Sequence, residues 1–483
     1  MNVLFLYPNV LGGGFFHLGL ASLSATLKSN RNHKASLFDT TFYHSSSNVS
    51  IFKDVENKIV SEKKSNVIED LHSKINQFKP DLIAATCTSN SYKYLTGMLK
   101  EIKIVHDIPI IIGGSKATID FKNLINEKFI DYVAVGECER SFPEFVDSLE
   151  DGSNKMISSN IISKSFRIPT IQKLPPTLDY LPIPDFSIFE EAHMYRPMMG
   201  KVYRFGWVEF GRGCQFDCNY CINSYLHSLY GENRIKVRMK SASHMIAELV
   251  ELKTKYSLEY LRFIDESFLN MPIKTLEELS TNYINQISLP FIIMTHPSTV
   301  NRKKAELLKE MGCTHVSIGI ESGNAFIRNH ICNRHVDDSQ IINAFRNLHE
   351  VGIGITSFNI IGFPYEGRRQ IFETIKLNRI AESDVPSLSY LYPFEGTKLY
   401  EYCLRNGYLQ ENDEVPEDYT TTSILKLNSI TKEELLGLGK VFHLYCKYPR
   451  FAFPLIRLAE NDNLISNKIF LFLNKVYKKH YAE

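Results

Sequence analysis

The chain alternates short apolar runs with stretches of helical spacing, and it does so in two separate series. In the first, residues 3–7, 35–38, 81–87, 108–112 and 132–135 read as buried strands. Helical patterns accompany them at 18–27, 67–78, 92–104, 121–126 and 142–149. Strands joined through helices run parallel, and the helices then cover both faces of the sheet. An α/β unit over residues 1–154, a Rossmann-like doubly wound parallel sheet, is the expectation. The second series spans 205–405, with strands at 205–210, 260–264, 291–295, 316–320, 355–361 and 388–391. Helices follow at 242–255, 275–287, 303–311, 340–351, 369–381 and 398–406. Six such units predict a partial (β/α)6 TIM-like barrel, with its chemistry at the carboxyl ends of the strands.

Residues 155–204 form a connector, where Pro169, Pro175, Pro176, Pro182, Pro184 and Pro197 exclude a long helix. Residues 406–483 form a small helical C-terminal region. Thr431-Lys432-Glu433-Glu434 reads as a capping box opening a helix to about Tyr445. Residues 464–479 are apolar on one side and carry Lys468, Lys475, Lys478 and Lys479 on the rest. Such a helix could make peripheral contact with a membrane surface; the reading favours packing on the protein itself.

In doubly wound sheets the ligand sits beyond the carboxyl ends of the strands. Here those ends are residues 8–14, Thr88-Ser89-Asn90, Gly113-Gly114-Ser115 and Gly136-Glu137. Gly and small polar residues let the backbone approach a large planar ligand closely. Gly12-Gly13-Gly14 is not the Gly-x-Gly-x-x-Gly fingerprint of a nicotinamide site.

The loop after the first barrel strand carries Cys214, Cys218 and Cys221, spaced Cys-x-x-x-Cys-x-x-Cys. Thiolates that close together can converge on one soft metal centre. Three ligands suit a four-iron cluster with one iron left open, and an open position marks a catalytic site. A zinc site completed by His227 is the alternative on spacing alone, though no second Cys pair is present.

The stretch Arg212 to Cys221 resembles the cluster motif of the radical S-adenosylmethionine (radical SAM) enzymes, with Tyr220 as the aromatic beside the last cysteine. The resemblance implies that Cys214, Cys218 and Cys221 hold a [4Fe-4S] cluster. It implies that the open iron binds SAM, which is cleaved to a 5'-deoxyadenosyl radical. Asp265 would accept hydrogen bonds from SAM or substrate. Glu321, with Ser322 and Gly323 shaping the backbone, would meet the SAM ribose or amino group, and Ile360 and Gly362 the adenine. Pro393 to Thr397 also matches. Arg334 could pair with the SAM carboxylate, but reads more readily as an exposed arginine flanking a helix. Asp265 and Glu366 have plainer readings as a strand-end turn carboxylate and a helix N-terminal residue.

The first 154 residues are similar to the cobalamin-binding domain that precedes the radical SAM domain in one subfamily. Leu18 to Leu23, Pro109 to Gly114 and Asp131 to Glu137 carry that likeness. It implies that Thr88, Ser89, Gly113, Gly114, Gly136 and Glu137 lie against cobalamin. The Asp-x-His-x-x-Gly motif of many cobalamin proteins is missing; His17 stands in the first loop without that spacing and reads as a surface or packing residue. The implied activity is methyl transfer to an unactivated carbon of a small-molecule or lipid substrate, with a flavodoxin or ferredoxin as electron donor. Oxidative cyclisation or rearrangement stays open, as does a non-catalytic corrinoid or metal-binding protein.

A net charge of +1 over 483 residues argues against a nucleic-acid partner held by bulk charge. Methylthio transfer to tRNA is disfavoured for the same reason, and no N-terminal cysteine trio is present. Cys87, Cys138, Cys313, Cys332, Cys403 and Cys446 are scattered, which fits a reducing compartment rather than a disulfide framework. With no basic n-region and no apolar run of about 18 residues, a cytoplasmic protein without a spanning helix is expected.

Overall fold

The computed structural model describes residues 1–10, 16–29, 33–43, 63–152, 160–171, 173–198, 200–233, 235–410, 413, 415–416, 418 and 420–481. Gly12, Gly13 and Gly14 lie outside the described residues. The chain divides into two units. One comprises Met1–Pro197 with Tyr225–Ile235, the other Met198–Ser224 with Lys236–Glu483.

In the first unit the elements run β1 (Asn2–Tyr7), α1 (Leu18–Lys28), β2 (Lys34–Asp39), α2 (Val67–Phe78), β3 (Leu82–Thr86), α3 (Tyr92–Val105), β4 (Ile110–Gly113), α4 (Ser115–Leu124), β5 (Tyr132–Ala134), α5 (Ser141–Glu150) and β6 (Ile161–Ser163). The strand order is β2-β1-β3-β4-β5-β6. Every pair is parallel except the last, where β6 runs antiparallel to β5. Val3, Leu4, Phe5 and Leu6 are all fully buried, as expected of a strand covered on both faces. The core joins strand residues such as Leu4, Ile83 and Ile112 to Leu71, Leu95, Leu99 and Ile102 of the helices.

Two details depart from expectation. Helix α4 starts at Ser115, well before residue 121, because its polar first turn hides the apolar period. A kink at Asp120 breaks that period again. The strand β6 falls inside the stretch read as a connector. Three residues are too short to show against the proline-rich sequence that follows.

The strand β7 (Tyr195–Met198) precedes the second unit's barrel. Along the chain follow β8 (Lys201–Val208), β9 (Gly211–Arg212), α6 (Ile222–Tyr230, which from Tyr225 onward belongs to the first unit), β10 (Arg238–Met239), α7 (Ala242–Tyr256), β11 (Tyr260–Phe263), α8 (Ile273–Gln286), β12 (Phe291–Thr295), α9 (Arg302–Met311), β13 (Cys313–Glu321), α10 (Asp338–His349), β14 (Gly354–Ile361), α11 (Arg368–Ile380), β15 (Val385–Tyr390) and α12 (Lys398–Arg405). The main strands lie in the order β15-β14-β13-β12-β11-β8. Each neighbouring pair is parallel. This is the expected open, partial barrel. Its first strand leaves the ladder at Val208 rather than at residue 210. The Phe210 and Gly211 N–H groups donate instead to the Asp265 carboxylate, and β9 pairs antiparallel with β10.

Three helices follow: α13 (Lys432–Lys447), α14 (Phe453–Ala459) and α15 (Leu464–Tyr481). Thr431 caps α13 by accepting from the Glu434 N–H. Leu435, Leu438, Phe442, Tyr445, Ile456, Leu473 and Tyr477 pack on Ile361, Ile371, Ile375 and Tyr390 of the barrel. Among the described residues no helix is long and apolar enough to cross a membrane.

Candidate active site

The cysteine loop is held from several directions. Gly213 has φ 92°, and a Cβ there would stand 2.2 Å from the Lys236 carbonyl oxygen, so the loop needs glycine at its start. The Gly213 N–H donates to Glu266 at 3.0 Å. Lys236 Nζ donates to Asp217 at 2.8 Å and to the Gln215 carbonyl at 3.3 Å. Beyond β13, the Ile331 to Asn333 backbone and side chains grip the far side. Asn219 donates its N–H to the Cys332 carbonyl and its amide to the Ile331 carbonyl, while Asn333 donates to the Asp217 carbonyl. The loop is thus fixed largely by contacts to its backbone and to Asp217 and Asn219, and only weak, long contacts reach the thiols, from Arg334 to Cys218 and from Asn223 to Cys221.

Cys218 is buried, and Cys214 and Cys221 are half-buried. Among the described residues no three His, Cys, Asp or Glu side chains already stand as a metal-holding group. The thiols are nevertheless near enough to act on one another. Burial raises the proton affinity of all three, and their mutual repulsion adds to it for Cys214 and Cys221. Arg334 opposes the rise at Cys214 and Cys218.

Arg334 is buried, not exposed as its sequence context suggests. Its Nη2 donates to the Gly319 carbonyl at 2.7 Å, and Nη1 lies 3.9 Å from Cys218 Sγ. Its Nε is buried without a partner. Tyr220, Glu321 and Cys218 surround the guanidinium and favour its charged form against the cost of burial. Glu321 ends β13 with φ 63°, beside a shift in the β13–β14 register. Burial raises its carboxyl, and Arg334 and Tyr220 pull it back. A Cβ on Gly319 would meet Glu321 Oε1 at 2.1 Å and Arg334 Nη2 at 3.0 Å, so Gly319 makes the space in which both groups sit.

The other expected site residues of this unit divide by role. Asp265 is buried, with its carboxylate accepting from Phe210 at 3.1 Å and Gly211 at 2.5 Å. Burial pushes its carboxyl up to about 8. It holds the strand-to-loop corner. Ser322 is buried, and its carbonyl accepts from Arg328 at 2.8 Å. Ile360 packs in the same apolar cluster as Tyr220 and Phe363. Gly362 has φ 89°, and its N–H donates to Glu366 at 2.6 Å. Glu366 is fully buried and also accepts from the Phe363 N–H at 3.1 Å. Burial pushes it up to about 8. It clamps the loop before α11 instead of serving as a helix N-terminal residue.

His296 was not foreseen. It follows β12, and its Nδ1 accepts from the Ser298 N–H at 3.2 Å, which leaves the proton on Nε2. That Nε2 is buried without a partner, and the ring stacks on Phe216 of the cysteine loop at 3.7 Å. Burial and Arg334 lower its pKa to about 2, so the ring stays neutral. A histidine at the carboxyl end of the third barrel strand was the available signal.

The first unit's strand ends look different. Thr88 is exposed, and its hydroxyl bonds Asn90 and Ser91; Ser89 is half-buried beside it. Gly113 is in ordinary contact with Ala134. Gly114 has φ 96°, and a Cβ there would lie 2.7 Å from the Cys87 carbonyl. Gly136 has φ 74° and lies under the Tyr230 hydroxyl, which accepts from the Glu137 N–H at 2.9 Å. His17 has both ring nitrogens engaged. Nδ1 accepts from the Leu20 N–H that opens α1, and Nε2 meets Thr86 Oγ1 at 3.0 Å. It packs, as its isolated position in the sequence suggests. His227, the alternative zinc ligand, is buried on α6.

Residues 208–377 match the family model described as the Radical SAM superfamily. The cysteine loop, Glu321 and Arg334 all lie within that match, at the carboxyl ends of an open parallel barrel. That stretch is a radical SAM domain. The chain's relatives include an uncharacterised methyltransferase of Pyrococcus horikoshii, 27% identical over 379 residues, covering 76% of this chain and 79% of the other. The fold is shared with the radical SAM methyltransferase TsrM of Kitasatospora setae, solved with cobalamin and a [4Fe-4S] cluster. That similarity has a TM-score of 0.63 at 16% identity, over 84% of this chain and 75% of TsrM. The cobalamin-dependent radical SAM enzyme OxsB also shares it, with a TM-score of 0.65 at 14% identity over 99% of this chain and 71% of OxsB.

Proposed function

We propose that this enzyme is cobalamin-dependent and transfers a methyl group to an unactivated carbon of a small-molecule or lipid substrate. The observation that carries the reading is the grouping of three thiols with a buried Arg334 and Glu321 at the barrel's strand ends. When bound, a [4Fe-4S] cluster and SAM supply a carbon radical, and cobalamin supplies a methyl group. The donor set fits these groups. Cys214, Cys218 and Cys221 would hold the cluster, with Arg334 placed to offset thiolate charge.

Arg334, through its unpartnered Nε, and Glu321 present opposite charges side by side. That pairing suits the carboxylate and ammonium of an amino acid such as the methionine part of SAM. Ile360 and the Gly362 backbone would face the adenine. Asp265 orients the loop by fixing Phe210 and Gly211. Thr88, Ser89, Gly113, Gly114, Gly136 and Glu137 would lie against cobalamin. The names of the relatives support methyl transfer, and a flavodoxin or ferredoxin would supply electrons.

The test is anaerobic reconstitution with iron, sulfide and hydroxocobalamin, followed by metal counts and product analysis with SAM and a reductant. Four irons, one cobalt and 5'-deoxyadenosine are the expected outcome. Iron without retained cobalt removes the cobalamin assignment, and zinc without iron removes the whole reading.

A further inference from the structure

The C-terminal helices carry apolar surface on both sides. On its inner side α15 is docked: Leu473 and Tyr477 are buried in the core with α13 and α14. The Tyr448 hydroxyl donates to the Leu473 carbonyl at 2.8 Å, and Lys440 donates to Asn467 at 2.6 Å. The outer side is bare. Leu464, Ile465, Leu471 and Phe472 are between 63% and 74% exposed, and in the preceding segment Phe451 and Leu458 are 86% and 55% exposed. Isolated exposed leucines are ordinary, but contiguous apolar patches mark an interaction surface.

Leu464, Lys468, Leu471 and Lys475 recur at the four- and three-residue steps that keep one helix face. Ile465, Phe472 and Lys479 flank that stripe. Lysine stems lie along apolar surface while their ammonium groups reach beyond it. Residues 464–481 contain no Asp or Glu at all. Over 449–481, Arg450, Arg457, Lys468, Lys475, Lys478 and Lys479 stand against Glu460 and Asp462. Glu460 is taken up by Arg368, at 2.7 and 2.8 Å.

We propose that this outer face of α14 and α15 docks on a bilayer of anionic phospholipid. The apolar side chains enter the interface and the cations meet the headgroups. Charge decides the occupant. A second copy packed symmetrically on this face would set one lysine-bearing helix without Asp or Glu against another, whereas an anionic surface complements Lys468, Lys475 and Lys479 together. The helix does not span; it lies along the surface, anchored to the protein by its other side.

The test uses the whole chain in co-sedimentation with vesicles of phosphatidylglycerol and, separately, of phosphatidylcholine. Retention on phosphatidylglycerol, weak on phosphatidylcholine and released by salt, is expected. Lys468→Glu with Lys475→Glu lowers the partition coefficient by about 25-fold or more, since each cation contributes about fivefold. Leu471→Ser with Phe472→Ser also releases the protein. Circular dichroism and melting of both variants match the parent, because all four side chains are exposed. Equal retention on the two lipids, or none on phosphatidylglycerol, overturns the proposal. So does a concentration-dependent dimer that Leu471→Ser with Phe472→Ser dissolves.

Discussion

Both units are parallel α/β sheets, and both present their strand ends as the candidate working surface, yet they furnish those ends in opposite ways. The barrel buries ionisable groups there. Glu321, Arg334, Asp265 and Glu366 are withdrawn from water, and Arg334, Glu366 and His296 each keep a buried polar atom without a partner. The first unit offers Thr88, Ser89, Gly113, Gly114 and Gly136, whose needs are met locally by hydrogen bonds and turn geometry. Unmet buried polar atoms are costly unless a ligand completes them, so the barrel ends suit a small, polar molecule. Neutral backbone suits a broad ligand held by contact area. One architecture therefore supports two recognition strategies.

The sharpest way to break this comparison is Cys218→Ala. Iron content and 5'-deoxyadenosine formation are expected to fall to background together, with cobalt retention unchanged. Loss of cobalt as well would mean that the two sets of strand ends do not work separately.

Next in size is Arg334→Met, which leaves Glu321 without its opposing charge. Losing that offset together with the hydrogen bond to the Gly319 carbonyl costs about 3 kcal/mol. Urea unfolding should report it, and Arg334→Met with Glu321→Gln should recover most of the loss. No recovery would mean that Arg334 serves mainly through the Gly319 carbonyl.

A smaller effect is expected in the other unit. Gly114→Ala places a side chain at φ 96° and against the Cys87 backbone. Strain of this type costs about 1–3 kcal/mol. Cobalt should wash out more easily from this variant, with iron unchanged.

A last prediction treats the units alike. Burial holds His17 and His443 near pKa 4, below the ordinary 6.5. Between those values the unfolded chain binds the proton and the folded chain does not. The stability from both residues is present above pH 6.5 and declines as pH falls toward 4. Melting temperature should therefore drop on acidification through this window, and less steeply for His443→Gln.

Much of this was legible in sequence. Helix α2 and strand β12 have the bounds their periodicity predicts, because a buried apolar run flanked by turn residues leaves little freedom. The cysteine spacing was equally plain, since three thiols on one loop need no tertiary information. Partners distant in sequence were harder to see. Asp265 ends β8 early by taking the N–H groups of Phe210 and Gly211, more than fifty residues away. Arg334 looks like a surface arginine until Gly319, Tyr220 and Glu321 are placed around it. His296 reads as a turn residue until Phe216 lies on its ring.

Glu321 also bears on how this sequence can vary. Its left-handed backbone would be eased by Gly or Asn, neither of which can answer the charge of Arg334. Asp shortens the reach, and Gln keeps the shape but loses the charge. Gly319 admits no side chain at all without displacing both ionic groups. A saturation library over positions 319 and 321 should therefore show an inverted preference. The residues best suited to the local conformation would be the least functional, and the parental pair would stand alone.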